Sequence, residues 1–215
     1  KFVERSPSRY IRLVRFDEYA ARDEASDGYA GKKEANFKEI QFIPVPDDAT
    51  RVNGIKAGDY DYSERIPGDL YDSLKDDPDL VVTLQKGGSQ GFVFFNSKEG
   101  ILKENFKLRK AILTAVDMDA VLKAAIGPEA LWRKNGSIMP EGTPWFSTAG
   151  ADAYSLGDAE KAKALAKEAG YNGEKITYMA TTSYKVHYDS SLVITEQLKK
   201  AGFNIDFQIY DWATL

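Results

Sequence analysis

Apolar positions recur along this chain with two different periods, and the switches between them mark its elements. Phe2-Val-Glu-Arg5 and Tyr10-Ile-Arg-Leu-Val-Arg15 alternate apolar with charged residues, the period of half-exposed strands, with Ser6-Pro7-Ser8 as the hairpin between them. Tyr19 to Glu34 has no period and is rich in Asp, Ala, Gly and Lys, so it reads as an exposed loop. Alternation resumes from Phe37 to Val45, which predicts a third strand. Asp47 or Asp48 then caps a short helix that turns Val52 and Ile55 inward and ends at Gly58, where a left-handed residue belongs. Asp59 to Tyr62 and Leu80 to Leu84 are expected to be strands. Between them Pro67-Gly-Asp opens a short helix with Leu70 and Leu74 inside.

The middle of the chain carries its clearest pattern. Phe92 to Phe95 is a continuous aromatic and β-branched run, as expected of a buried strand, and Asn96-Ser97 with Gly100 supplies turn chemistry. Asn105 is placed to cap a helix whose Leu108, Ala111, Ile112, Ala115 and Val116 share one face, with Lys107, Arg109 and Lys110 in water. Asp117 or Asp119 caps the next helix, Ala120 to Ile126, which Gly127-Pro128 stops. Leu131 to Gly150 is irregular and holds Trp132 and Trp145. Asp158 to Ala169 is a helix with Ala162, Leu165, Ala166 and Ala169 inward and Gly170 at its end. A strand at Lys175 to Ala180, a helix at Asp189 to Ala201 using Leu192, Val193 and Leu198, and a strand at Phe203 to Tyr210 complete a βαβ unit. Such a crossover implies parallel pairing.

Composition narrows the classes. With 215 residues, 43% hydrophobic and 29% charged, the chain can bury one good core or two small ones. A net charge of −4 with basic residues scattered argues against a nucleic-acid surface. No apolar run approaches the roughly 20 residues of a membrane span. Cys is absent, so there is neither a disulfide framework nor a thiolate metal site.

Four stretches in this order resemble one family. They are Ile43-Pro-Val-Pro-Asp-Asp-Ala-Thr-Arg-Val52 with Ile55-Lys-Ala-Gly-Asp-Tyr-Asp61; Phe95-Asn96 with Leu108-Arg-Lys-Ala-Ile-Leu-Thr-Ala-Val-Asp117; Ala159 to Tyr171; and Gln197 to Ile205. Together they are similar to the extracytoplasmic solute-binding proteins of family 5, the oligopeptide, dipeptide and nickel-binding type that serve ABC importers. Asn105 stands where the family usually has Asp, and Met118 where it often has a basic residue. The resemblance implies an α/β fold of the class II periplasmic-binding-protein kind, represented here by a middle piece with two partial lobes. Residues 1–95 would belong to the first and 96–215 to the second, joined by a crossing strand at Phe95-Asn96. It implies a peptide or similar small polar ligand, ABC permease subunits as partners, and no cofactor, metal or catalytic residue. The setting would be periplasmic or extracellular, peripheral to the membrane, with a lipid anchor as an option in the full-length protein. Edge strands left open would let copies self-associate.

By the same resemblance the cleft wall comprises Ser63, Glu64, Gln90, Phe92, Thr181, Thr182, Tyr184 and Trp212. Each has a plainer reading. Phe92 has apolar neighbours and suits a core; Gln90, at the head of a buried strand, must find a partner. Thr181-Thr182 lies just past a strand of the βαβ unit, where open α/β sheets bind ligands. Trp132 and Trp212 serve equally to cover apolar edges. His187 is the only histidine and reads as a solvated loop residue, so any His-based triad or multi-His metal site would centre on it. Asp117 and Asp119 are explained by capping rather than as an acid/base pair. Gly87-Gly88 lacks the Gly-Lys-Ser/Thr that would follow in a phosphate loop. Two other classes stand beside the transport reading: the ligand-sensing domain of a transcription regulator with the same fold, and a hydrolase converging on His187.

Overall fold

The computed structural model describes residues 1–85 and 90–215, and these form two compact units, Lys1–Ile66 and Pro67–Leu215. Gly87-Gly88 lies outside the described residues.

The first unit is an antiparallel sheet in the order β1 (Phe2–Ser6), β2 (Tyr10–Val14), β3 (Glu39–Phe42), followed by one helix, α1 (Asp48–Ala57). Ile11 opposes Phe42 and Leu13 opposes Ile40, so the apolar set lies on one face, as the alternation requires. On the other face Arg12 reaches Glu4 on one side and Glu39 on the other, each at 3.1 Å. Asp47 caps α1, its Oδ1 accepting from Thr50 N at 2.7 Å, and Gly58 closes it in the left-handed region at φ +78°. The expected strand at Asp59 to Tyr62 does not form. Asp59 N donates to Gly54 O, and the Tyr60 ring folds back over Gly54 so closely that a Cβ there would meet Tyr60 Cε2 at 2.3 Å.

In the second unit a 3₁₀ turn at Gly68–Leu70 leads into α2 (Tyr71–Lys75), which buries Leu74. The expected strands at Leu80 to Leu84 and Phe92 to Phe95 are also absent. A strand is a property of a pair, and among the described residues neither segment has a ladder partner. Phe92 and Phe94, expected in a core, are 51% and 87% exposed; only Phe95 packs on the core.

That core is built by helices. α3 (Phe106–Ala115) sets Leu108, Ala111, Ile112 and Ala115 against Ala162 and Ala166 of α5 (Ala159–Glu168), small side chains that let the two helices approach closely. Asn105, Asp117 and Asp158 cap α3, α4 (Met118–Ala125) and α5 through Leu108 N, Asp119 N and Lys161 N. The Gln197 amide grips both backbone groups of Asp117, accepting from its N–H at 3.0 Å and donating to its carbonyl at 3.2 Å.

The chain ends in the expected βαβ unit: β4 (Ile176–Thr181), α6 (Lys185–Lys200) and β5 (Ile205–Tyr210), with the strands parallel from Ile176 opposite Ile205 to Thr181 opposite Tyr210. α6 begins four residues before the predicted Asp189. Its cap residue, Tyr184, makes no side-chain capping bond, so the usual start signal is missing from the sequence. His187 is therefore in the first turn of a helix, not in a loop. Ser191, Ile194, Thr195 and Leu198 face inward, whereas Leu192, expected inside, is exposed.

Candidate functional site

In the first unit, Ser63 and Glu64 follow the helix whose Arg51 organises the surrounding chain. The Arg51 guanidinium donates to the carbonyls of Val45 (2.7 Å), Pro46 (3.1 Å) and Arg65 (3.2 Å) and pairs with Asp48. It thus ties the end of the sheet to the segment after α1. Ser63 Oγ is buried with no hydrogen-bond partner among the described residues, and Glu64 is exposed.

In the second unit four of the predicted residues fall at one end of the βαβ pair. Thr181 ends β4 and is 1% exposed; its Oγ1 accepts from Ser183 N at 3.1 Å, turning the chain toward α6. Thr182, next in the chain, is exposed. Tyr184 leads into the helix, and Trp212, just past β5, returns beside it: the rings meet edge-on with centroids 5.3 Å apart. Position follows from topology, because parallel strands with one crossover bring both carboxyl ends to the same rim. Trp212 is 56% exposed there. Beside it, Asp211 holds the last turn, Oδ1 accepting from Thr214 N at 3.0 Å and Oδ2 from Thr214 Oγ1 at 2.6 Å. Those bonds, the hydroxyl first, keep the Asp211 carboxyl below the usual aspartate range.

The other predicted residues lie elsewhere. Gln90 Nε2 donates to the carbonyl of Ser137 at 3.2 Å, the partner that a polar residue in this position needed. Phe92 is next to Phe94, ring centroids 6.0 Å apart. Two residues that sequence reasoning missed belong to the βαβ rim. Ser183 Oγ accepts from Trp212 N at 3.1 Å, and the His187 ring lies nearly parallel to the indole, 6.2 Å between centroids and 17° between planes. The signal for His187 was its spacing of three from Tyr184, which aligns two side chains only once the helix is known to start at Lys185.

Chemistry of other kinds finds explained residues. Asp117 is the cap of α4 and Asp119 pairs with Lys134 at 2.6 Å, so each carboxylate has a structural partner. A shallow depression of about 620 Å³ beside α4 is lined by Asp117, Asp119, Lys123, Glu129 and Trp132, whose indole N–H donates to Gly127 O. Among the described residues no group of three His, Cys, Asp or Glu is gathered to hold a metal, and no helix is long and apolar enough to cross a membrane.

Comparison with known proteins bears on the family and the fold. The family model described as bacterial extracellular solute-binding proteins, family 5 Middle, matches residues 1–215. A probable peptide ABC transporter periplasmic-binding protein, y4tO of Sinorhizobium fredii, is 31% identical over 220 residues, covering 97% of this chain and 40% of that protein. The oligopeptide-binding protein AppA of Bacillus subtilis is 24% identical, over 100% of this chain and 39% of its own. Among solved structures, AgaA with agropinic acid from A. tumefaciens R10 superposes with a TM-score of 0.70 at 26% identity, covering all of this chain and 41% of that one. DppA of Helicobacter pylori with the peptide STSA gives 0.74 at 22%, covering all of this chain and 38% of its own, a likeness of fold. The fold is that of class II periplasmic binding proteins, with mixed α/β content. The chain spans about 40% of the length of the curated relatives it matches.

Proposed function

This chain belongs to the bacterial extracellular solute-binding proteins, family 5, and on that premise we propose that the protein carrying it captures peptides or similar small polar solutes between two lobes and delivers them to an ABC permease. The observation that carries the reading is the family match over all 215 residues. The βαβ rim supports it: Thr181, Thr182, Tyr184 and Trp212 gather where open α/β sheets bind ligands. Gln90 and Phe92 in the second unit, and Ser63 and Glu64 in the first, are further candidate ligand contacts, with the lobe crossing at Phe95-Asn96. Binding of this kind needs desolvation and satisfied polar groups, not a nucleophile, so no turnover is expected. The protein works outside the cytoplasmic membrane. No observation favours a transcription regulator or a hydrolase.

The deciding measurement is a thermal-shift screen of the full-length protein against di- to pentapeptides, sugars, opines and nickel chelates. Peptides should raise the melting temperature by the linkage of binding to the folded state. If no small solute shifts it, the reading fails. The 215-residue chain by itself should bind weakly, and micromolar affinity in calorimetry would contradict a two-lobe site. Among the described residues β1 and β3 are the unpaired edges of their sheet, which leads us to expect self-association of that isolated chain; sedimentation velocity would show it as a concentration-dependent dimer.

A further inference from the structure

Trp212 is held by contacts from two directions. Its backbone N–H donates to Ser183 Oγ, and the Ser183 N–H donates to the hydroxyl of buried Thr181, each at 3.1 Å. Two hydrogen bonds therefore run from the last residue of β4 to the first residues after β5. From the helix side the His187 imidazole stacks on the indole, and Tyr184 meets the histidine edge-on at 5.6 Å and 81°, and the tryptophan at 5.3 Å and 86°. Neighbouring charges have partners: Lys185 pairs with Asp189, and Asp211 accepts both bonds from Thr214. What this corner offers a ligand is thus ring surface, with the charges turned to one another.

We propose that Ser183 and His187 are positioning residues that hold the Trp212 indole in place before ligand arrives, so that its exposed face meets an uncharged, apolar group of the solute. The inference rests on the binding-protein reading above. A tryptophan ordered in advance spares the complex the loss of rotamer freedom on binding, and releasing it should weaken affinity about five- to tenfold.

The test uses the full-length protein labelled with 5-fluorotryptophan, the Trp212 resonance being assigned by its disappearance in Trp212→Phe. Ser183→Ala and His187→Ala should broaden or move that resonance in the free protein. They should also weaken binding of di- to pentapeptides with leucine or phenylalanine side chains about five- to tenfold. Ser183→Thr keeps the acceptor and His187→Phe keeps the stack, so each should restore both properties and show that the alanine effects are not a failure to fold. Unchanged affinity in the alanine variants overturns the proposal, whatever the resonance does. A fall in affinity with the resonance unmoved also overturns it, because the residues would then act other than through Trp212. If the parent protein binds no small solute at all, the binding-protein reading itself has failed, which is a different result from a parent that binds and variants that bind equally well.

Discussion

Asn105 joins two helices with one side chain. Its Oδ1 accepts from Leu108 N at 3.0 Å, capping α3, while Nδ2 donates to the carbonyl of Ala169 at 3.1 Å, satisfying the end of α5. Removing it leaves a half-buried donor and a half-buried acceptor unpaired at once. Asn105→Ala should therefore cost about 2 kcal/mol in urea denaturation, the sum of a lost cap and a lost hydrogen bond. Asn105→Asp keeps the cap and places a negative charge at a helix N-terminus, yet it points an oxygen at the Ala169 carbonyl, so it should recover only part of the loss. Equal stability of the aspartate variant and the parent would show that the bridge to α5 contributes no more than the added charge at the helix N-terminus. At the other end of the unit, the Asp211 carboxyl is held below its ordinary range by Thr214. A depressed folded-state value means that its contribution is present above the unfolded aspartate range and is lost as pH falls through the folded value. The Thr214 amide signal should thus report loss of the terminal turn below the usual aspartate range, and Asp211→Asn should remove that dependence.

The helix pair α3 and α5 illustrates what an element's packing demands. Ala111 and Ala162 are both 0% exposed, and their size sets the distance between the axes. Ala111→Leu adds three carbons where none fit and should destabilise the protein by about 1–3 kcal/mol, measured as a lower urea midpoint with the slope unchanged. These helices were legible in the sequence because their signals are local: a capping Asn or Asp and an apolar stripe at 3.6 spacing in each, and for α5 a closing Gly170, all lie within the helix or next to it. The extended segments at Asp59 to Tyr62, Leu80 to Leu84 and Phe92 to Phe95 were misread for the opposite reason. Composition there suits a strand, but pairing is decided by what lies alongside, and Tyr60 finds a helix glycine instead of a ladder. The candidate site divides in the same way. Thr181 was placed by the βαβ pattern and Trp212 by family resemblance, whereas Ser183 and His187 required the true start of α6, which no capping side chain announces.

At the scale of the whole chain, burial is shared unequally. In the unit Lys1–Ile66 the buried residues are Val52 and Gly54, both on α1, and much of the apolar face of its sheet, with Phe2, Ile40 and Phe42, is open to solvent. The unit Pro67–Leu215 buries Leu108, Ile112, Val121, Ile176, Ile194 and Leu198 in one cluster. Resistance of a backbone amide to exchange follows the free energy of opening the structure around it, and that energy comes mainly from buried apolar surface. The sheet hydrogen bonds of Leu13 and Ile40 therefore have little behind them, while those of Ala115 and Ile194 break only if the helical core opens. For the 215-residue chain, hydrogen exchange should show amides of β2 and β3 exchanging at least about a hundredfold faster than those in the centres of α3 and α6, a difference of nearly 3 kcal/mol in opening free energy. Denaturant should accordingly melt the first unit before the second, giving two transitions by exchange and circular dichroism. Equal protection in the two units would mean that the sheet draws stability from a source other than its own core.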